Sequence, residues 1–357
     1  MQVNPFNPTF GDVPELMINN DPRPADIYKL VKQSRFARSF FITGVRGSGK
    51  TVMLSHLTEL FNNDPTCYCI DLLNNDEILT SFAERLYDVT KSKIGKVLDN
   101  IDLVTIGGFS IERQLSKSSI ALAIEKMMSE VKHQNRYVVI TIDEVSNSTA
   151  IKDFAQIFNA LKRKQLPIYV IMTGLPELIL DIQNDNKLTF LLRSDKIVMT
   201  PLQKSEITST YMKVFKCDLT FADKMTKATA GYSYAFQLLG YQLFQQCQGN
   251  IPTDEDLKAI IPMYQLQLFD NAYQKIFVGL SEMDRRYLIA VKGHKHLQEV
   301  CQIMNKDKIY VSQYRRRSIE RGLITPAGRG IVNYTLPYFE QYLDAVQNPD
   351  SSYYLGY

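Results

Sequence analysis

One octapeptide limits the possible fold more than any other stretch of the sequence: Gly44-Val45-Arg46-Gly47-Ser48-Gly49-Lys50-Thr51. It fits the pattern G-x-x-x-x-G-K-[ST] at every fixed position. Its glycines let the backbone turn so that successive N–H groups converge on phosphate oxygens. An apolar stretch precedes the octapeptide and an amphipathic one follows it, so a strand, a loop and a helix N-terminus stand in the order that phosphate binding uses.

We therefore predict a phosphate-binding loop at residues 44–51. In such a loop Lys50 reaches the β- and γ-phosphates, and the Thr51 hydroxyl ligates Mg²⁺. The alternative is an accidental glycine-rich turn. The flanking strand and helix patterns make that alternative the weaker one.

A second apolar run, residues 137–142, ends in two acidic residues, Asp143 and Glu144. Ligands of parallel sheets bind at the carboxyl ends of the strands. Asp143 is therefore a candidate for holding Mg²⁺ through water, and Glu144 is a candidate base that orients an attacking water. A strand that merely ends in acids is the alternative.

Two further polar residues fall where such a site would use them. Thr173 follows the apolar run 168–172, so its hydroxyl could lie beside the γ-phosphate. It could equally cap the next helix or begin the turn at Gly174. Arg193 comes shortly before the last predicted strand and could neutralise transition-state charge. Pairing with Asp195 at the surface is the alternative.

Short apolar runs alternate with amphipathic stretches as far as Pro201, which predicts an α/β fold with a parallel sheet flanked by helices. Strands are expected at 39–43, 67–72, 137–142, 168–172 and 197–199, and helices near 50–61, 76–91, 118–133, 150–165 and 176–183. Residues 94–116 look irregular, with a small hairpin as one option. Beyond Pro201 the patterns are helical over 204–247 and 254–278, which predicts a helical domain.

The C-terminal third of the chain is basic. Residues 281–336 hold eleven basic and five acidic side chains, whereas the whole chain carries a formal net charge of only +3. Helical patterns begin near Ser281, Leu297 and Val311, and two short runs around a Pro-Ala-Gly turn follow them. Three helices and a hairpin are the layout of a winged helix-turn-helix, and the charge favours an anionic partner.

The candidate DNA contacts are arginines of this module: Arg315, Arg316 and Arg317 on the third helix, and Arg329 at the hairpin tip. Arginines on a helix in the major groove can read guanine edges. At about 100° per residue the three consecutive arginines fan over about 200°, so at least one is expected to serve packing or phosphate contact. A winged helix used for protein contact, with solvated charge, is the alternative.

In this order, the loop, the acid-ended strand, the helical region and the winged helix resemble AAA+ and STAND-type P-loop ATPases, and especially the archaeal origin-recognition initiator ATPases. The resemblance implies a P-loop NTPase core, an all-helical lid and a C-terminal winged-helix domain. It implies ATP at residues 44–51 and Mg²⁺ at Thr51 and Asp143. It makes Glu144 the catalytic acidic residue, Thr173 the first sensor, and Arg193 a finger that reaches a neighbouring subunit of a homo-oligomer.

Three stretches depart from, or only partly match, this resemblance. Residues 4–11 are similar to the segment that covers the adenine in such proteins, but Asn19-Asn20-Asp21 replaces a Gly-Arg-Asp-like turn. In the lid, Gly231-Tyr232-Ser233 stands where a Gly-x-Pro or a sensor arginine is expected. Slow turnover, or a switch held by its nucleotide, is therefore expected.

The expected domains are an extended N-terminal segment (1–37), the ATPase core (38–201), the lid (202–279), the winged-helix domain (280–345) and a tail (346–357). The expected function is that of an ATPase whose nucleotide state controls a DNA-binding winged helix. The alternative is a STAND-like signalling switch whose winged helix contacts protein.

The expected compartment is the cytoplasm. No apolar stretch approaches the ~18 residues of a membrane span, and the N-terminus lacks a secretory pattern. The five cysteines form no C-x-x-C pair and fit a reducing compartment.

Overall fold

The computed structural model describes residues 3–18, 21–34, 38–98, 117–186, 188, 191, 193–328 and 330–356. The chain divides into two compact units. The sheet unit consists of Asp21–Thr43 and Lys50–Val198, and the helical unit of Met1–Asn20, Gly44–Gly49 and Met199–Tyr357. The candidate DNA contact Arg329 and most of the stretch predicted to be irregular, residues 99–116, lie outside the described residues.

A five-stranded sheet with the strand order β2-β3-β4-β1-β5 forms the centre of the sheet unit, and its neighbouring strands are all parallel. The α/β prediction is confirmed. The strands are β1 Ser39–Thr43, β2 Cys67–Leu72, β3 Tyr137–Ile142, β4 Ile168–Gly174 and β5 Asp195–Val198. The register aligns Ile142 with Met172 and Thr43 with Gly174, so the carboxyl ends of β1, β3 and β4 meet at one edge.

Six helices accompany these strands in the described residues: α1 Arg23–Gln33, α2 Lys50–Asn62, α3 Ile78–Leu98, α4 Lys117–His133, α5 Thr149–Arg163 and α6 Pro176–Gln183. In α5, Ser148 caps the N-terminus by accepting a hydrogen bond from the Ile151 N–H. The apolar side chains of Ile151, Phe154 and Phe158 recur at helical spacing and are buried against the sheet. The predicted ranges 150–165 and 176–183 agree with α5 and α6 to within two residues at each end.

The N-terminal prediction was wrong over part of its length. Residues 3–18 are non-helical, as expected, but α1 lies inside the interval 1–37 that was predicted to be extended. Pro24 stands in the first turn of α1, where a missing N–H costs nothing. Ile27 and Val31, four residues apart, are the buried side chains that hold this helix.

The helical unit begins with α7 Lys204–Phe215, α8 Leu219–Thr229, α9 Ser233–Cys247 and α10 Asp254–Leu268. A π-helical turn, Phe269–Tyr273, joins α10 to α11 Gln274–Val278. The helices break at Lys216 and at Ala230, whose φ values of 52° and 50° are left-handed. Asp218 then starts α8 by accepting a hydrogen bond from the Phe221 N–H at 2.7 Å.

Three helices and an antiparallel hairpin follow, in the predicted order: α12 Glu282–Ala290, α13 Leu297–Met304, α14 Lys308–Glu320, β6 Ile324–Gly328 and β7 Ile331–Tyr334. A further helix, α15 Phe339–Gln347, extends past the predicted domain boundary at 345. Helix α14 begins three residues earlier than predicted because Asp307 caps it, accepting from the Tyr310 N–H at 2.8 Å. That earlier start changes which side chains α14 exposes.

Among the helices that the structure describes, none is both long and apolar enough to cross a membrane.

Candidate functional site

Three of the predicted site residues meet at the carboxyl edge of the sheet. The Thr51 hydroxyl, in the first turn of α2, donates a hydrogen bond to Asp143 Oδ2 at 2.8 Å. The Thr173 hydroxyl donates to the other carboxylate oxygen, Oδ1. Asp143 is therefore held between the last residue of the phosphate motif and the neighbouring strand.

Thr173 lies within β4 and is fully buried. The alternative that it caps the next helix is wrong, because the N-cap of α6 is Leu175. Its hydroxyl also accepts a hydrogen bond from the Glu144 N–H at 3.0 Å. One side chain thus fixes both residues of the acidic pair.

Glu144 turns the chain sharply after β3. Its φ of 52° lies in the left-handed region, which is rare for residues other than glycine and asparagine. Asn74 Nδ2, in the loop after β2, donates to the Glu144 carbonyl at 2.8 Å and helps to hold that turn. The Glu144 side chain is exposed. Sequence analysis missed Asn74, although a polar residue just past the end of a neighbouring strand is a usable signal.

The phosphate motif requires glycine for two reasons: some of its residues have a positive φ, and others leave no room for a side chain. Gly47 and Gly49 have φ values of 74° and 88°. A Cβ on Gly47 would lie 2.5 Å from the Tyr232 hydroxyl oxygen, and a Cβ on Gly44 would lie 2.6 Å from Ser48 Oγ. No larger residue fits at positions 44 and 47 without moving its neighbours.

Residues at the start of α9 hold the carbonyl groups of this loop. The Tyr232 hydroxyl donates to the Arg46 carbonyl at 2.6 Å, and Ser233 Oγ donates to the Ser48 carbonyl at 3.2 Å. The Tyr234 N–H donates to the Gly47 carbonyl at 3.0 Å. Three successive loop carbonyls, at positions 46, 47 and 48, are therefore bonded to three successive residues.

Tyr232 and Ser233 stand where the resemblance implied a sensor arginine or a Gly-x-Pro. Their contacts with the loop were not predicted from the sequence. Burial raises the pKa of Tyr232 above that of free tyrosine, and burial likewise raises the pKa of Tyr234. Both hydroxyls therefore remain protonated and able to donate at neutral pH.

A stack of three side chains adjoins the loop. The Arg46 guanidinium lies 4.8 Å from the centre of the Phe10 ring, and that ring stacks on Tyr234 at 4.4 Å. Asn271 Nδ2 donates to the Tyr234 hydroxyl at 2.9 Å. The N-terminal segment thus reaches the phosphate motif through Phe10.

Two buried polar atoms of the loop have no hydrogen-bond partner among the described residues: Arg46 Nε and Ser48 Oγ. Buried polar atoms are normally satisfied, so each marks a place where an acceptor would be favoured. Lys50, also buried, begins α2, where the helix N-terminus carries partial positive charge. Each of these groups has the chemistry to interact favourably with an anion.

Arg193 is exposed just before β5. Asp195, its suggested surface partner, forms an ion pair with Arg38 at 3.3 Å. The role of Arg193 as a finger toward a neighbouring subunit stays a prediction.

The three consecutive arginines of α14 differ in their surroundings. The Arg316 side chain is 81% exposed and pairs with Glu320 one turn later at 2.8 Å. Arg317 instead binds the fully buried carboxylate of Asp284, on α12, at 2.8 Å. Arg315 is partly buried, and its Nε has no hydrogen-bond partner among the described residues. Of the three, Arg316 presents most of its side chain to solvent.

Two more side chains share that exposed face. Ile309 is 78% exposed, and Gln313, four residues later, is exposed as well. With Arg316 they stand at i, i+4 and i+7, which is one face of a helix. Ile309 was missed because the predicted helix began near Val311, and Gln313, although inside that predicted helix, was not singled out as a candidate contact.

Comparisons with known proteins agree with the motifs. Residues 34–179 match the family model described as AAA domain, and residues 270–343 match one described as a domain of unknown function. No curated protein matches by sequence.

Three solved structures cover nearly the whole chain. The Walker-type ATPase of Pyrococcus abyssi matches with a TM-score of 0.63 and 11% identity, over 92% of this chain and 96% of that one. The ORC2 protein of Aeropyrum pernix, in ADPNP–ADP complexes, matches with a TM-score of 0.60 and 10% identity, over 95% of each chain. Cdc6p of Pyrobaculum aerophilum matches with a TM-score of 0.50 and 14% identity, over 94% and 96%. At these identities the likeness to solved structures shows the fold. Together with the match to the AAA domain model, it supports the resemblance to AAA+ P-loop ATPases.

Proposed function

We propose that this chain, an AAA+ type P-loop protein similar in fold to the archaeal initiator ATPases, binds ATP at residues 44–51 and hydrolyses it slowly. The observation that carries the proposal is the hydrogen-bonded set Thr51, Asp143 and Thr173. It joins the last residue of a complete phosphate motif to the acid at the end of a buried strand.

The loop supports the phosphate-binding part of the proposal. The left-handed glycines 47 and 49 shape it, and the unpartnered Ser48 Oγ and Arg46 Nε could each donate to an anionic oxygen. Lys50 would add a full positive charge to the partial charge of the α2 N-terminus. These donors fit the triphosphate of ATP.

The oxygen ligands at the sheet edge fit Mg²⁺. Magnesium prefers hard oxygen ligands and keeps several waters, so one hydroxyl and one carboxylate suffice beside phosphate oxygens. Thr51 Oγ1 and the Asp143 carboxylate would hold it. The bound ion would neutralise charge on the phosphates. Thr173 would keep the Asp143 carboxylate in place.

Glu144 is the proposed base. Its backbone is held from two sides, by Thr173 and by Asn74, while its side chain is exposed to water. A carboxylate fixed beside the magnesium ligand is suited to orient the attacking water and accept its proton.

The test of hydrolysis compares phosphate release by the wild type with that by Glu144→Gln. We expect release to fall by about 10²-fold or more, since general-base catalysis is worth about 10²–10⁴, while ADP affinity stays within about threefold. Glu84→Gln, at an exposed position on α3, is the matched control and should leave the rate unchanged. Equal rates for Glu144→Gln and the wild type would remove Glu144 from its role.

We propose further that the exposed face of α14 binds duplex DNA. Eleven basic residues lie in residues 281–336 against five acidic ones, which suits a polyanion. The side chains on the face also suit the major groove: Arg316 can bond guanine, Gln313 can bond adenine, and Ile309 can contact a thymine methyl group. Arg317 is assigned to packing in this proposal, because its guanidinium binds the buried Asp284 carboxylate.

Fluorescence anisotropy on a duplex tests this part. We expect Arg316→Ala to weaken binding about tenfold, because one good arginine–guanine contact is worth about 1–3 kcal/mol. The control is Arg286→Ala, which removes an exposed arginine with the same i,i+4 pairing, to Glu282 at 2.7 Å, from α12. Binding that is independent of salt, or lost equally in both variants, would contradict the proposal.

One observation favours the second candidate, a nucleotide-held switch. The Val45 side chain of the phosphate motif lies 3.7 Å from the position of a Cβ on Gly322, in the turn after α14. Val45 also packs against the apolar cluster that contains Val311 and Leu323, so the motif and the C-terminal module share one cluster. Size-exclusion chromatography with and without ATP tests it: assembly into larger species without DNA would favour the switch, and Arg193→Ala should then block a homo-oligomer built through the ATPase core.

A further inference from the structure

We propose that Tyr232 is a positioning residue for nucleotide binding, which acts by orienting peptide groups of the phosphate motif rather than by touching phosphate. The inference rests on the proposed function. Its basis is the tyrosine clamp, by which we mean Tyr232, Ser233 and Tyr234 bonded to the loop carbonyls.

The geometry of the peptide bond turns this clamp into a constraint on the N–H groups. In a trans peptide the C=O of one residue and the N–H of the next point in opposite directions. A hydrogen bond from Tyr232 to the Arg46 carbonyl therefore directs the Gly47 N–H away from α9. The bond from Ser233 to the Ser48 carbonyl does the same for the Gly49 N–H. These are amides of the kind that phosphate-binding loops present to anions.

The clamp is rigid. Tyr232 is 4% exposed, so its hydroxyl would lose a partner without gaining water if the bond broke. Gly47 allows the approach, because a Cβ there would lie 2.5 Å from the Tyr232 oxygen. Asn271 holds the ring of Tyr234 in turn, by its 2.9 Å bond to the hydroxyl. The loop is therefore preorganised, and ordering it costs little when a ligand binds.

This arrangement predicts a distinctive nucleotide dependence. A residue that contacts the γ-phosphate discriminates ATP from ADP. Tyr232 contacts backbone that serves the phosphates common to both nucleotides. Loss of its hydroxyl should therefore weaken ADP and ATP by the same factor.

Tyr232→Phe tests this prediction, with dissociation constants for ADP and a non-hydrolysable ATP analogue measured by calorimetry. We expect both constants to rise about tenfold, because a buried carbonyl loses its hydrogen-bond donor. Amide hydrogen exchange in residues 44–51 of the free protein should become faster as well. The matched control is Tyr264→Phe, which removes another fully buried hydroxyl, bonded to the Ala228 carbonyl at 3.0 Å. The control should lower the melting temperature similarly and leave both constants within about twofold.

The outcomes are separable. If the wild type binds neither nucleotide, the proposed function fails. If the wild type binds and Tyr232→Phe matches Tyr264→Phe, only the positioning role is overturned. A loss confined to the ATP analogue would also overturn it, because Tyr232 would then sense the γ-phosphate. Should Tyr232→Phe fail to fold, Ser233→Ala removes the 3.2 Å bond to the Ser48 carbonyl with a smaller change, and should still weaken both nucleotides equally.

Discussion

Arg316 and Arg317 are neighbours on α14, yet their replacement by alanine should affect different properties. We expect Arg317→Ala to lower stability and Arg316→Ala to lower DNA affinity. Arg317 pairs with a carboxylate that is 0% exposed, whereas Arg316 pairs with Glu320 at the surface. Removing a partner from a fully buried ion pair costs about 3–5 kcal/mol. The Arg317 side chain is 44% exposed, and Arg321 also binds Asp284, at 2.9 Å. We therefore expect a smaller loss for Arg317→Ala, about 2 kcal/mol.

For Arg316→Ala the expected loss is below about 0.5 kcal/mol, the usual worth of an exposed i,i+4 pair. In a unit of this size 1 kcal/mol corresponds to about 2–4 °C in melting temperature. Differential scanning calorimetry should thus show a fall of about 4–8 °C for Arg317→Ala and less than about 2 °C for Arg316→Ala. DNA affinity, measured well below both transitions, should fall only for Arg316→Ala.

A double-mutant cycle of Arg317→Ala with Asp284→Asn isolates the pair, and we expect a coupling of about 1–2 kcal/mol. Equal melting temperatures for the two single variants would refute the assignment of Arg317 to packing. An equal loss of DNA affinity in Arg316→Ala and Arg317→Ala would refute the proposal that Arg316 contacts DNA from the exposed face of α14. A triple substitution of residues 315–317 would mix the two effects and could not separate them.

Three further predictions follow from single contacts. Thr173→Val removes the hydroxyl that holds the strand-end carboxylate, and should lower phosphate release about tenfold or more with ADP affinity changed less than about threefold; an unchanged rate would count against it. Gly47→Ala places a Cβ 2.5 Å from the Tyr232 oxygen and should weaken ADP binding more than about tenfold by calorimetry. Burial alone would raise the pKa of Asp64, but hydrogen bonds, the largest from Lys32, hold that pKa well below its usual value. The stability of the wild type relative to Asp64→Asn should therefore be constant at neutral pH and shrink as the pH falls below about 4, where the unfolded carboxyl protonates first.

The sequence predicted the sheet well because its strands are unbroken apolar runs between turn residues. Four of the five strands begin at the predicted residue, and β4 ends two residues later than predicted, at Gly174. The α1 helix was missed because its apolar positions are few, with Ile27 and Val31 the main ones, and prolines dominate its start. Pattern alone could not tell a proline that ends extended chain from one that begins a helix.

The candidate site likewise has contacts that the sequence could predict and contacts that it could not. Spacing predicted that Thr51 and Asp143 belong together, because a motif and a strand end are local features. The contacts of Tyr232 could not be predicted, because they depend on how a distant helix packs on the loop. No local pattern distinguishes a tyrosine that donates to a loop carbonyl from one that fills a core.

The π-helical turn Phe269–Tyr273 gives two neighbouring residues different partners. Asp270 accepts a hydrogen bond from the Tyr353 hydroxyl at 2.5 Å, and Asn271 donates to Tyr234 at 2.9 Å. A π-helical turn contains one more residue than the α-helical turn it interrupts. Deleting a single residue there would restore α-helical phase and rotate one of these two groups by about 100°. The number of residues in this π-helical turn therefore decides whether Asp270 and Asn271 can hold their two hydrogen bonds, to Tyr353 and to Tyr234, at the same time.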